Sequence, residues 1–285
     1  MNAFFSKLLA TWQTDLSPVF DEREAKNTFL FALEDCFNLS KTQLISENNL
    51  QLSEEALAQL QVIKTRLLAG EPYQYIVGFT YFDGLKIYVN ADVLIPRPET
   101  EELVDWITTD FKNETAIQLV DWCTGSGCIA LAVKARHPNW TITGIDVSAA
   151  ALAIAQQNAS ANNVVVSWIK DDLQQPTFQQ SCTIIVSNPP YIPIADKQFM
   201  AKNVLEFEPH LALFVPDEDP LLFYRLLAEN AKKQLVQNGC IYLEIHEDYA
   251  VEMKALLSDF GFTDIEIRND LQGKSRMLKA VNKTV

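Results

Sequence analysis

The sequence predicts an α/β protein: a doubly wound, mostly parallel sheet preceded by a small helical bundle and a β-hairpin linker. Three observations predict it. From about residue 115, short β-branched apolar runs alternate with amphipathic helical segments, the pattern of strands joined by crossover helices. Residues 1–70 carry helix caps and helix-spaced apolar positions instead. Between the two regions, Asp83-Gly84 sits among alternating apolar residues, a two-residue hairpin turn.

The N-terminal signals follow in order. Ser17-Pro18 offers an N-cap with proline at the first helical position, followed by the apolar stripe Phe29, Leu30, Phe31 and Leu33. Ser40 and Gln43 form a capping-box pattern. Ser53, with Glu54 and Glu55 in its first turn, opens a helix that ends at Gly70, a natural residue to close it. Such a bundle is either a packing accessory or a substrate-docking module. Residues 71–95 form the expected linker hairpin, and the α/β domain is expected over 96–285. Its strands are IQLVDW (117–122), TITGID (141–146), VVVSWI (164–169), TIIVS (183–187) and CIYLEI (240–245), with helices over 128–136, 148–160 and 220–236. FTDIEIRND and SRMLKAV are joined too closely for a crossover, so they close the sheet as an antiparallel hairpin.

Composition narrows the function. The net charge of −14 and the lack of a dense Lys/Arg cluster disfavour duplex DNA, whose binders neutralise phosphates with a basic face. Five cysteines without a CxxC pair argue against a disulfide framework and a structural zinc site, and fit a reducing cytoplasm. The opening MNAFFSKLLATWQTDL has its apolar runs broken by Lys7 and Asp15, so neither a signal peptide nor a membrane span is expected.

Ligands of doubly wound sheets bind at the carboxyl ends of the strands, and three stretches fall there. In DWCTGSGCIALA, Gly125 and Gly127 allow a tight turn and a close backbone approach, and the helix that follows points N–H groups at the ligand. Asp146 ends the second strand, 19 positions after Gly127, where a carboxylate can accept both hydroxyls of a ribose. Together these predict an adenosine-containing cofactor without choosing which. The third stretch, Asn188-Pro189-Pro190-Tyr191, chooses. Its prolines make the strand end irregular, leaving the Pro189 carbonyl and the Asn188 side-chain oxygen as neighbouring acceptors for a substrate NH₂ group. An amide nitrogen is a poor nucleophile because its lone pair is delocalised; holding both hydrogens turns that lone pair toward an electrophile. Tyr191 adds an aromatic face for a planar group.

With these residues the chain resembles class I S-adenosylmethionine-dependent methyltransferases of the amino-methylating type. More narrowly it is similar to the HemK-type family, bacterial glutamine N5-methyltransferases of peptide-chain release factors. The matching stretches are GEPYQYIVG (70–78), VLIPRPETEELV (93–104), TGSGCIALA (124–132), NPPYI (188–192), EPHLAL (208–213) and a closing D-x-x-G-x-x-R at Asp270, Gly273 and Arg276. The resemblance implies a Rossmann-like class I methyltransferase fold with a seven-stranded sheet, mostly parallel with an antiparallel last strand. It also implies S-adenosyl-L-methionine as methyl donor and S-adenosyl-L-homocysteine as product. The acceptor would be the Gly-Gly-Gln loop of a bacterial class 1 release factor, gripped by residues 1–70, with a monomeric enzyme.

Carried over by position, the resemblance puts the cofactor on Asp121, Cys123, Thr124, Gly125, Ser126, Gly127, Asp146, Asp172, Leu173 and Asn188. The catalytic substrate-amide motif falls on Asn188, Pro189, Pro190 and Tyr191, with Arg97 and Glu99 shaping the pocket around the substrate. No metal is implied. Two positions depart from the family pattern, which usually has glycine where Cys123 and His246 stand. Cys123 would be strained at positive φ and admits a reading as a nucleophile; His246 admits a reading as a base or as a residue at the pocket rim. Three rival functions stay open: a DNA adenine-N6 methyltransferase sharing NPPY, a nicotinamide oxidoreductase sharing the glycine loop, and a non-catalytic S-adenosylmethionine-binding protein.

Overall fold

Helix caps fix the N-terminal elements of the computed structural model, which describes residues 3–46 and 50–283. The helices are α1 (Ala3–Leu16), α2 (Glu22–Phe37), α3 (Lys41–Ser46), α4 (Glu54–Leu68) and α5 (Tyr73–Val77). The start of α2 differs from the Ser17-Pro18 expectation. Asp21 accepts from the Glu24 N–H at 2.8 Å and Glu24 accepts from the Asp21 N–H at 3.2 Å, a reciprocal box satisfying two orphan donors. The Ser17 hydroxyl instead donates back to the Thr14 carbonyl at the end of α1. Of the expected stripe, Phe29 and Leu33 are buried and Phe31 is half exposed.

Ser40 and Gln43 form their capping box, and the Ser53 hydroxyl caps α4. Gly70 has φ +84° just after the helix, and the Glu71 N–H returns to the Arg66 carbonyl, so the expected stop is met. Phe5, Trp12, Phe29, Leu44 and Leu60 fill one core. Residues through Gly78, together with Ala201–Phe207, make one compact unit. Tyr73–Val77, expected within the linker, is therefore a short helix belonging to it, closed by Gly78 at φ +82°.

The second unit comprises Phe79–Met200 and the chain from Glu208 on. Its hairpin, β1 (Phe79–Phe82) and β2 (Leu85–Tyr88), turns at Asp83 and Gly84 with φ +51° and +76°, the left-handed pair of a type I′ turn. Then come α6 (Pro98–Asp110), β3 (Gln118–Trp122), α7 (Cys128–Arg136), β4 (Thr141–Asp146), α8 (Ala149–Ala161), β5 (Ser167–Lys170), β6 (Cys182–Ser187), β7 (Ile192–Pro193), α9 (Lys202–Phe207, in the helical unit), β8 (Phe214–Val215), α10 (Leu222–Gln234), β9 (Leu235–Glu244), α11 (Ala250–Asp259), β10 (Thr263–Asn269) and β11 (Ser275–Val281).

Seven strands form one sheet in the order β10-β11-β9-β6-β3-β4-β5. The pairs from β9 to β5 are parallel, while β11 runs antiparallel to both neighbours. This is the class I methyltransferase arrangement. β5 starts later than expected because Asn163 takes φ +54° and Val165 points into solvent. β9 starts earlier, passing Asn238 (φ +62°) and Gly239 beside a register shift against β6. The core between sheet and helices holds Trp122, Ile185, Tyr224, Ile241 and Leu278. Among the described residues no helix is long and apolar enough to cross a membrane, and all five cysteines are free thiols.

Candidate active site

The carboxyl ends of β3, β4 and β6 surround a cavity of about 200 Å³. Two hydrogen bonds tie those ends together: the Ser187 hydroxyl donates to the Trp122 carbonyl at 2.6 Å, and the Thr124 N–H donates to the Ile145 carbonyl at 3.0 Å. The glycine loop follows β3. Gly125 has φ +54°, with open space where a side chain would stand, and Gly127, at φ +81°, precedes α7. Buried Asn158 of α8 braces this loop, donating to the Ser126 carbonyl at 2.9 Å while exchanging hydrogen bonds with the Tyr88 backbone of β2.

Asp146 ends β4 in the cavity wall. One of its oxygens accepts from the Gly125 N–H at 2.8 Å and the other from the Ser148 N–H at 2.9 Å, and each retains lone-pair capacity for a ligand hydroxyl. Burial pushes its carboxyl above the usual carboxylate range against these bonds. Below the wall Asp121 is wholly buried. Burial pushes it up to about 7 despite the Thr124 hydroxyl donating at 2.5 Å, and its other oxygen has no hydrogen-bond partner. Asp171 folds the next loop by accepting from the N–H groups of Asp172, Thr177 and Phe178, which presents Asp172 and Leu173 to the cavity. The wall carries Asp92, Asp146, Asp171 and Asp172 against one cation, Arg97. That cation is already committed: its guanidinium is 2.6 Å from Glu208, whose side chain is 1% exposed. The remaining charge suits a cationic ligand.

Asn188 lies opposite the glycine loop in the same wall. Its Nδ2 donates to Thr100 Oγ1 at 3.3 Å, and the Thr100 hydroxyl donates to Glu244 Oε2 at 2.6 Å. Glu244 Oε1 accepts from the Tyr191 hydroxyl at 3.0 Å. Burial raises the Glu244 carboxyl, opposed by Thr100, Tyr191 and Arg276. Among the described residues, nothing donates to Asn188 Oδ1 or to the Pro189 carbonyl.

The structure thus brings Arg97, Cys123, Thr124, Gly125, Ser126, Asp146, Asp172, Leu173, Asn188 and Pro190 to one cavity. Asp121, Gly127, Pro189 and Tyr191 stand just behind its wall. Tyr191 was expected to offer its ring to a planar group; instead its hydroxyl is on Glu244 and its ring meets His246 edge-on, centroids 6.0 Å apart. Glu99 also stands off the wall and accepts from the Gln272 side chain at 3.2 Å. Cys123 has φ +59°, so the strain foreseen for a side chain there is present, of order 1–3 kcal/mol. Burial, then the Asp146 carboxylate, pushes its thiol far above the ordinary value, which opposes the thiolate that the nucleophile reading requires. His246 caps a short 3₁₀ turn by accepting from the Asp248 N–H and is not in the cavity wall. Thr100, Glu208, Asn158, Asp171 and Glu244 were missed as site residues. The first two lie inside motifs that were recognised, which was the available signal.

Sequence comparison agrees with this geometry. The PrmC N-terminal domain family matches residues 9–78 and the methyltransferase small domain family residues 100–207. A release factor glutamine methyltransferase of Flavobacterium psychrophilum is 42% identical over 93% of this chain and 94% of its own length. The chain belongs to the release factor glutamine methyltransferase family. Another member, from Bacteroides thetaiotaomicron, is 37% identical over 96% of this chain and 99% of its own. A methyltransferase from Pyrococcus furiosus, 15% identical, superposes with a TM-score of 0.52 over 82% of this chain and all of the other, a likeness of fold. This enzyme family transfers methyl groups, and the rival oxidoreductase reading falls with it.

Proposed function

We propose that the cavity transfers the methyl group of S-adenosyl-L-methionine to the side-chain amide nitrogen, N5, of the glutamine in the Gly-Gly-Gln motif of a bacterial class 1 peptide-chain release factor, tuning translation termination in the cytoplasm. The observation that carries this reading is Asn188, in the cavity wall: its Nδ2 is anchored on Thr100 while its Oδ1 has no donor among the described residues. An acceptor held this way suits a primary amide.

The residues fit the methyl donor. Asp146 keeps acceptor capacity on both oxygens for the ribose hydroxyls, and the open face of Gly125 admits close backbone approach. Leu173 offers an apolar surface to the adenine, and the surplus of wall carboxylates complements a sulfonium cation. When bound, S-adenosyl-L-methionine supplies a methyl group made electrophilic by its positive sulfur. The protein's part is alignment. Asn188 Oδ1 and the Pro189 carbonyl take the two hydrogens of the glutamine NH₂ group, fixing the nitrogen with its lone pair free. Positioning of this kind accounts for roughly 7–11 kcal/mol of barrier in favourable intramolecular cases. The alkylated amide nitrogen is acidic and releases its proton to solvent, so no strong base is needed.

Methyl-labelled S-adenosyl-L-methionine offered with a purified release factor, with the same factor carrying alanine in place of the Gly-Gly-Gln glutamine, and with duplex DNA tests the reading. Label on the intact factor alone is expected; label on DNA overturns the substrate. Asn188→Ala should lower kcat by about 100-fold or more while the donor's Kd changes little. Undiminished turnover in that variant refutes the role of Asn188.

A further inference from the structure

We propose that Thr100 and Glu244 are positioning residues that set which way the Asn188 amide faces, through a chain of hydrogen bonds with a forced direction. The inference rests on Asn188 being the acceptor for the substrate amide.

The direction follows from donor counts. Both carboxyl oxygens of Glu244, at the end of β9, act as acceptors. Its Oε1 is served by Tyr191 and its Oε2 by Thr100 at 2.6 Å. A threonine hydroxyl has a single proton, and Thr100 spends it on Glu244. Toward Asn188, 3.3 Å away, Thr100 Oγ1 has only lone pairs left. Asn188 must therefore present its NH₂ to Thr100. The amide is planar, so its oxygen faces the other side and the cavity. The two ends of an asparagine amide are nearly isosteric, so shape alone would leave the choice between acceptor and donor open. A donor in that position would repel a substrate NH₂.

Packing holds the chain in place. Thr100 and Glu244 are each 2% exposed, so water competes little for the hydrogen bond between them. Thr100 lies in the first turn of α6, which begins at Pro98, and the proline fixes the entry angle. The Tyr224 hydroxyl donates to the Glu244 carbonyl oxygen, holding the strand end that carries the carboxylate. Three separate elements thus meet on one polar chain, and its free end is the atom that the reaction uses.

The test uses full-length enzyme, methyl-labelled donor and purified release factor, with kcat and donor Kd measured for each variant. Thr100→Val keeps the branched shape and loses the relay; kcat should fall between about 10- and 100-fold with donor Kd unchanged. Thr100→Ser keeps the hydroxyl and should recover most of the loss. Glu244→Leu removes the acceptor altogether and leaves the Thr100 proton free for Asn188, so the amide can reverse and kcat should fall as in Thr100→Val. Thermal melts and donor Kd report whether each variant is folded. Wild-type kcat in folded Thr100→Val or Glu244→Leu overturns the relay, and so does a Thr100→Ser variant as slow as Thr100→Val. Asn188→Ala separates the two readings: if it keeps full activity, the role of Asn188 itself fails, whereas a slow Asn188→Ala beside a fast Thr100→Val sinks the relay alone.

Discussion

Adding one methyl group to Gly144 tests how the cofactor loop is supported. Gly144 of β4 pairs in parallel register with Trp168 of β5, and the indole lies over it. An ideal Cβ on Gly144 would stand 2.3 Å from Trp168 Cζ3, 2.5 Å from Cε3 and 3.0 Å from Thr124 Oγ1. Carbon atoms settle about 3.5–4.0 Å apart, so the ring must retreat by roughly 1.2–1.7 Å from its place on Gly144. The same ring covers Gly127, whose notional Cβ is 2.7 Å from Cη2, so a retreat strips cover from the glycine loop as well. Overpacking costs about 1–3 kcal/mol. Stiffening of the unfolded chain by Gly→Ala returns about 0.4–1 kcal/mol. Taking the middle of these ranges, Gly144→Ala should destabilise the fold by about 1.3 kcal/mol, a fall of roughly 0.6–0.7 M in the urea midpoint for an m-value near 2 kcal/mol/M. Far-UV circular dichroism is the suitable readout, since indole fluorescence would itself respond to the displaced Trp168. Because the clash also reaches Thr124, which donates to Asp121, affinity for S-adenosyl-L-methionine should drop in parallel. Trp168→Leu in the same chain should offset part of the loss, giving a coupling near 1 kcal/mol. An unchanged midpoint for Gly144→Ala, or strict additivity with Trp168→Leu, would refute the account.

Two further predictions come from the charged groups. Arg97→Ala leaves Glu208, whose side chain is 1% exposed, without its cation; the expected loss is about 3–5 kcal/mol, read as a lowered melting temperature, and a melt within a degree of wild type would contradict it. Asp121 gives a pH dependence: its folded pKa is raised from 3.8 to about 7, so its contribution to stability is present below pH 3.8 and is lost as pH rises toward 7. Wild type should lose stability relative to Asp121→Asn between pH 5 and 7, by at most about 1.4 kcal/mol per pH unit, with the difference levelling above 7; a wild type that holds constant or gains relative to Asp121→Asn over that window would show that the carboxyl is not raised.

The parts legible in the sequence are those that local chemistry determines. Alternating strands and helices, the Asp83-Gly84 turn and the glycine loop each depend on neighbours in the chain, and each stands where expected. NPPY was legible as an irregular strand end bearing free acceptors. What escaped needed partners far along the chain. Thr100 meets Glu244 across 144 positions and Ile95 meets Glu208 across 113; Glu208 stands in the EPHLAL stretch, but no local pattern marks Glu244 as a support for the site. The partner of the Tyr191 hydroxyl was out of reach for the same reason: it is a buried acceptor 53 positions away. At the start of α2 two capping signals competed within a few residues, and the reciprocal Asp21–Glu24 box prevailed over Ser17-Pro18. The left-handed backbone at Cys123 was legible only through the resemblance, as a cysteine standing where the family pattern usually has glycine.

The seat of β11 also says something about the order of assembly. In the chain β10 comes first, yet its sheet partner is β11, and β11 lies between it and β9. β10 and β11 can pair with each other as a local hairpin, so the non-local step is the docking of β11 on β9, which closes a loop from Cys240 to Val281. Such non-local pairings are slow, because chain entropy is lost before any contact compensates. This edge should be the last part of the sheet to form. A proline placed within β11 would remove two strands from the sheet, while the same residue in β10 would remove one.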